Sequence, residues 1–302
     1  MKIFITGANG FVGGNLIRYF LKGGHQISGL VRSEAKTSGL PPGVSPVIGD
    51  PTKSGSWQDS VPGHDVLINL AGATIFQRWN EKYKRLLRDS RIFTTRNLVD
   101  AIPAENAPNT TLLSTSAVGY YGFSEDQELG EDSPPGNDFL AQLAVDWEAE
   151  ALKAAGKGVR VVITRFGVVL GKGDGALRQM SLPFRLFVGG PLGSGQQWFS
   201  WIHAEDLCRA AEFVIKNTSI SGPVNFTAPQ PVRNRELASI MGNVLGRPSF
   251  MPAPGFMIKL IMGEFGSVLL NGQRVVPRRL EDYGFRFNHP TIQEALTDLL
   301  RD

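Results

Sequence analysis

Cysteine is almost missing from this chain. Cys208 is the only one in 302 residues, which excludes an internal disulfide and a cysteine metal cluster and suits a reducing compartment. An excess of one charge is missing too. The formal net charge is +3 and the cations are spread along the chain, so composition gives no argument for nucleic acid. No apolar run reaches the ~18 residues that a membrane span needs. No basic and apolar leader precedes the first apolar strand, so no secretory signal is expected. Repeats and low-complexity tracts are also lacking. What remains is an ordinary globular composition, 42% apolar and 20% charged, able to bury a large core. We therefore expect a cytoplasmic protein with no membrane partner, no nucleic-acid partner and no metal centre.

The most informative stretch opens the chain. Residues 3–5 form a short apolar β-run that leads into Gly7, Asn9, Gly10, Phe11, Val12 and Gly13, a G-x-x-G-x-x-G turn. Phe11, Leu16, Ile17 and Phe20 then recur at helical spacing, and Gly23-Gly24 ends the pattern. Strand, glycine turn and helix together give the motif its meaning. The turn is tight, the backbone can approach a pyrophosphate, and the helix N-terminus offers unpaired N–H groups to that anion.

The rest of the chain alternates strand and helix patterns. Strands are expected at 25–31, 44–48, 66–70, 111–117 and, as one long apolar strand, 159–170; helices at 79–98 and 139–155. This predicts an α/β fold: a Rossmann-type doubly wound parallel sheet with a smaller, mostly helical C-terminal lobe. Residues 1–234 are expected to form the nucleotide-binding domain, with a flexible glycine-rich excursion at about 171–200. Residues 235–302 would form the lobe. Within it an apolar helix at 256–270 is broken by Gly263 and Gly266, and 272–277 reads as turns.

Strand ends carry the candidate contacts. The second strand ends at Val31 with Arg32 after it, where an NAD-preferring fold usually carries an acid; a cation there can clamp a 2′-phosphate, so NADP(H) is the expected cofactor. The alternative for Arg32 is an ordinary solvated arginine. Asp50 could accept from the adenine amino group or simply make a turn. Leu70, Ala71 and Gly72 close the fourth strand with residues small enough for close approach. Arg91 sits mid-helix in a cationic run that reads mainly as a solvated face. Ser116 ends the fifth strand and Tyr120 and Tyr121 follow it, where hydroxyls can reach a substrate oxygen; otherwise they decorate a loop. His203 reads as structural.

The motif order resembles the extended short-chain dehydrogenase/reductase superfamily of the sugar-nucleotide epimerase type. The matching stretches are GANGFVG (7–13), NLAG (69–72), STSAVGYYG (114–122), TRFGVVLG (164–171) and WIHAED (201–206). RWN (78–80), DSRIFTTR (89–96), LPFRL (182–186), GGPLGSGQQWFSWIH (189–203) and LNGQRVVPRRL (270–280) are similar to its atypical "epimerase family protein" branch, the YfcH-like type. The resemblance implies that Gly7, Asn9, Gly10, Phe11, Val12 and Gly13 hold the pyrophosphate and Arg32 the 2′-phosphate. Leu70, Ala71, Arg91 and Val169 would line the rest of the cleft. That superfamily's chemistry uses a tyrosine with a lysine four residues on. None of the five tyrosines here has one: Gly23, Leu87, Ser124, Glu125 and Phe287 stand at those positions. An isolated phenol titrates near ~10 and is a poor base at neutral pH. The expectation is an NADP(H)-binding oxidoreductase or epimerase-like enzyme with a rewired proton donor, Tyr120 or Tyr121, beside Ser116. The competing expectation is a non-catalytic NADPH-binding sensor or scaffold.

Overall fold

A computed structural model describes residues 1–301. The chain starts in β1 (Lys2–Thr6), turns through the glycines into α1 (Phe11–Lys22) and returns in β2 (Gln26–Val31). It continues with β3 (Val44–Ile48), β4 (Val66–Asn69), α2 (Glu81–Asp100) and β5 (Thr111–Ala117). Then come β6 (Glu128–Leu129), α3 (Phe139–Leu152), β7 (Arg160–Phe166) and β8 (Val168–Gly171). Next are α4 (Gly175–Arg185), β9 (Trp198–Phe199), β10 (Trp201–His203), α5 (Ala204–Lys216), β11 (Gly222–Phe226) and β12 (Val232–Arg233). The C-terminal part holds α6 (Asn234–Leu245), α7 (Gly255–Met262), α8 (Glu264–Leu270), β13 (Arg274–Val275), α9 (Arg278–Asp282) and α10 (Ile292–Leu300).

Seven strands form one sheet in the order β11-β7-β5-β4-β1-β2-β3, and every pairing in it is parallel. Strand order reverses between β1 and β4, which opens a crevice at their carboxyl ends. Side chains alternate across the sheet, as the strand period of two requires. Ile3 and Ile5 join Leu16, Ile17, Phe20 and Val214 under α1 and α5. Phe4 lies on the opposite face with Leu98, Leu112, Ala151 and Ile163. The sheet is therefore covered on both sides, as parallel sheets require.

The structure corrects four sequence expectations. The apolar run 159–170 is two strands, because Gly167 leaves the large sheet: its N–H donates to the Phe226 carbonyl, and a Cβ on it would come 2.9 Å from the Ser200 carbonyl oxygen. β8 then pairs with β10 in a separate two-stranded sheet. The glycine-rich excursion contains a regular helix, α4, whose N-cap Asp174 accepts from the Gly175 N–H. The apolar helix at 256–270 breaks only at Gly263 (φ +62°); Gly266 lies inside α8, where a Cβ would press on the Ile258 carbonyl oxygen at 2.8 Å. Finally, 272–277 is not merely turns, since β13 pairs in parallel with β6.

The C-terminal part packs on the rest at several places, and in one of them Leu237, Met241, Ile292 and Leu296 share a core with Leu170, Leu177, Phe184 and Trp201. Phe265 of α8 sits among Trp79, Leu87 and Leu143. Leu280 and Phe285 enter the core beneath α1 and α5.

Candidate functional site

The crevice is floored by the β1–α1 turn. Gly7 has φ +68°, a left-handed conformation that favours glycine. A Cβ on Gly7 would meet the Ala71 nitrogen at 3.0 Å, and one on Gly13 would come 2.4 Å from the Gly7 carbonyl oxygen. Glycine is thus required at both positions by contact with backbone. The N-cap Gly10 offers no side-chain cap to the first turn of α1, so the N–H groups there are free for an anion. The Phe11 ring projects away from this turn and packs where Gly171 and Gly175 leave room for it. Asn9 is exposed and Val12 packs partly on the core.

Beside this turn, the end of β4 is held by one hydroxyl. Thr6 Oγ1 accepts from the N–H groups of Leu70 and Ala71 at 3.0 and 3.2 Å and donates to Asn69 Oδ1 at 2.8 Å. Asn69 is fully buried and donates onward to Thr95, so its side chain is committed to the sheet. Gly72 completes the small-residue edge. Arg91 lies directly over it: a Cβ on Gly72 would be 3.3 Å from the Arg91 guanidinium carbon. That guanidinium faces the Trp147 ring at 5.2 Å and donates to the Leu87 carbonyl. Burial pushes Arg91 down to about 10.

The outer edge of the crevice carries Val31, Arg32 and Asp50. Val31 is buried, so only its backbone can face a ligand. Arg32 is exposed and makes no hydrogen bond or ion pair among the described residues. Asp50 makes a turn, accepting from the Thr52 N–H and hydroxyl at 3.0 and 2.7 Å. Burial works to raise its pKa, but the Thr52 bonds and nearby Arg32 hold the carboxyl below its ordinary range. Val169, on β8, is partly buried against the α1 side of the core.

The hydroxyl cluster at the end of β5 is where the structure departs most from the sequence reading. Ser116 is buried, and its hydroxyl donates to Glu148 Oε1 at 2.6 Å. Glu148 in turn receives Arg165 through Nε at 2.9 Å and Nη2 at 2.8 Å. Arg165 Nη1 donates to the Tyr121 hydroxyl at 2.9 Å, and that hydroxyl donates to Asn225 Oδ1 at 2.7 Å. Burial pushes Tyr121 up to about 12, outweighing the opposing pull of Arg165. Neither Ser116 nor Tyr121 therefore stands free in the crevice, because both are spent in one buried chain. Tyr120 differs. Its ring lies over the Arg165 guanidinium at 3.4 Å, it is partly exposed, and its hydroxyl takes no partner among the described residues.

Glu148 and Arg165 were missed in the sequence, although a signal existed. Arg165 is a lone charge inside the apolar run VVITRFGVVL, and such a charge is buried only with a partner. Three of the six cations of α2 find acids: Lys84 meets Glu81 and Glu264, Arg88 meets Asp146 and Arg96 meets Glu150. His203 caps α5 by accepting from the Glu205 N–H, and its Nε2 faces Asp298 at 3.2 Å. His203, Glu205 and His289 come close enough to share an ion, yet the two imidazole rings stack 3.9 Å apart and His203 has both nitrogens engaged.

Known proteins resemble the chain in sequence and in fold. Residues 3–225 match the NAD dependent epimerase/dehydratase family, and residues 253–299 match a domain of unknown function, DUF1731. The chain is 44% identical to the "Epimerase family protein SDR39U1 homolog, chloroplastic" of Arabidopsis thaliana, over 100% of this chain and 87% of that protein. It is 37% identical to the epimerase family protein YfhF of Bacillus subtilis, over 100% and 99% respectively. The crystal structure of human epimerase family protein SDR39U1 with NADPH superposes with a TM-score of 0.86, at 34% identity and 99% coverage of both chains. With a matched segment that reaches all seven strands of the large sheet, the chain belongs to the NAD dependent epimerase/dehydratase family, as an atypical short-chain dehydrogenase/reductase with a DUF1731 C-terminal segment.

Proposed function

We propose that this protein binds NADP(H) along the carboxyl edge of its sheet and reduces a small-molecule carbonyl. The observation that carries the reading is the pairing of a backbone glycine cradle with the free cation Arg32 at the end of β2. Gly7, Asn9, Gly10, Phe11, Val12 and Gly13 would hold the pyrophosphate through backbone N–H groups. Arg32 would pair with the 2′-phosphate, and Asp50, Val31, Leu70, Ala71, Gly72, Arg91 and Val169 would line the cleft. The human relative crystallised with NADPH supports that choice of cofactor. When bound, the cofactor supplies a hydride. Tyr120 would give the proton, because its phenol is the one at the end of β5 that is not already bonded. A protonated phenol can act as an acid without a lysine, which favours reduction over oxidation. Ser116 would act on Tyr120 only through Glu148 and Arg165. We assign residues 1–234 to the nucleotide unit and 235–302 to the substrate-side lobe, and place the protein in the cytoplasm.

A second reading, a non-catalytic NADPH-binding sensor or scaffold, rests on a specific observation. On α3, where the superfamily carries its tyrosine and lysine, Phe139, Leu140, Leu143 and Ala144 stand, and the first three pack around Phe265 and its neighbours. The cofactor half is tested by titrating NADPH and NADH against the protein and its Arg32→Ala variant. NADPH should bind the parent more tightly, and the variant should lose about tenfold to a hundredfold of that preference, as for one charge-assisted contact. Equal affinity of the parent for both nucleotides would remove Arg32 from the site. Absence of binding would remove both readings.

A further inference from the structure

Six large apolar side chains stand exposed on one unpartnered surface. It is made by two segments that run side by side, the end of α4 with the following turn and the loop leading into α7. Gly189 accepts from the Met251 N–H, Pro191 from the Ala253 N–H, and Gly193 donates to the Ala253 carbonyl. Leu186, Phe187, Phe250, Phe256, Leu260 and Ile261 project from this face, each between 56% and 78% exposed. In α7 the arrangement is inverted. Ile258 is its buried residue, while Phe256, Met257, Leu260 and Ile261 all face out. Phe187 holds φ +63°, the only non-glycine with positive φ among the described residues. A bulky side chain kept in that strained conformation at the tip of an apolar turn marks a functional surface.

Charge identifies the occupant. Residues 175–204 and 237–263 contain no Asp or Glu. An even spread of the chain's 28 acids would place about five there. The segments that build this face carry Arg178, Arg185, Arg247 and Lys259, all exposed and none in an ion pair among the described residues. Arg247 lies over the Phe187 ring at 4.3 Å. A second copy docking through this face around a two-fold axis would oppose cations with cations and bring no acid to meet them. Exposed apolar side chains interspersed with unpaired cations match an anionic bilayer surface, where side chains enter the acyl boundary and the cations meet phosphates.

We propose that this face docks the protein peripherally on anionic lipid headgroups, with α7 and the Leu186-Phe187 turn as the inserted edge. Spanning is a separate matter: no helix among the described residues is long and apolar enough to cross a membrane. Lys259, between the apolar residues of α7, can extend its stem to keep its ammonium at the phosphate level.

The test is co-sedimentation of the full chain with vesicles of phosphatidylcholine alone and of phosphatidylcholine with phosphatidylglycerol. Binding to the anionic vesicles only is expected. It should weaken about tenfold or more in Phe256→Ser/Leu260→Ser and, separately, in Arg185→Glu/Lys259→Glu, and it should fall as salt rises. NADPH titration and a thermal melt confirm that each variant is folded. Failure to bind anionic vesicles overturns the proposal, as does binding that neither variant reduces. A dimer that dissociates in Phe256→Ser/Leu260→Ser, with vesicles ignored, overturns it in favour of an interface between copies. Capture of an acidic protein without vesicle binding overturns it in favour of a protein partner.

Discussion

At the β1–α1 turn the groups that face a ligand belong to the backbone, whereas at the corner between β5 and α3 they are side chains. The backbone groups stay available, because a helix's first N–H groups have no partner within the fold. The side chains have found each other. Ser116, Glu148, Arg165, Tyr121 and Asn225 form one buried chain of hydrogen bonds. A nucleotide site made of backbone survives changes in the residues around it. A proton-transfer site made of side chains can be rebuilt into structural support while the fold stays the same. This is how the crevice can keep its cofactor geometry and lose the tyrosine–lysine pair.

Four experiments would break or sharpen that contrast. The largest effect is expected from Glu148→Ala, which strands the Arg165 guanidinium in the interior. Breaking a buried pair costs about 3–5 kcal/mol, so chemical denaturation should detect it readily, and Glu148→Leu/Arg165→Met should cost less than the single change. A double variant as damaging as Glu148→Ala would mean that the pair is more than structural support. Gly13→Ala should come next. Its Cβ cannot fit against the Gly7 carbonyl, so the turn must open, and NADPH affinity should drop about a hundredfold, ~2.8 kcal/mol. Unchanged affinity would show that the cradle is not where the pyrophosphate lies.

The tyrosines should separate cleanly. Tyr121→Phe removes the hydroxyl between Arg165 and Asn225 and should destabilise by about 1–3 kcal/mol. Tyr120→Phe should leave the melting temperature nearly unchanged and abolish whatever turnover is found. Reversal of those two phenotypes would invert the assignment. The smallest effect concerns pH. Burial first, then the stacked His289, lowers the pKa of His203, and burial also lowers His64. The unfolded chain then binds more protons just below the ordinary histidine pKa of ~6.5. Stability present at neutral pH should fall as pH drops through that range, by at most ~1.4 kcal/mol per pH unit for each histidine. His203→Gln should flatten part of the slope. An unchanged slope would show that His203 takes up its proton equally in both states.

The β1–α1 turn was legible in the sequence because its signals are local. Three glycines, a flanking strand and a periodic helix lie within the first two dozen residues, and Arg32 follows the next strand directly. The hydroxyl corner at the end of β5 was less legible because its meaning is set by partners far apart in the chain. Ser116 reads as a free hydroxyl until Glu148 is brought to it, and Tyr121 reads as exposed until Arg165 and Asn225 enclose it. The run 159–170 reads as one strand because Gly167 interrupts no apolar pattern; the break comes from the Ser200 backbone packed against it. The pairing of β6 with β13 joins two-residue strands, too short for any periodicity. Asp174 before α4, by contrast, was a readable N-cap obscured by the glycines on either side.

The placement of Leu280 and Phe285 beneath α1 has a consequence for how the protein is made. Synthesis delivers the seven sheet strands well before these two residues leave the ribosome. Until then the sheet's α1 side lacks part of its cover, and the apolar side chains there face water. The final fold must therefore wait for the C-terminal segment. A chain stopped at 234 would be a sheet with an open flank.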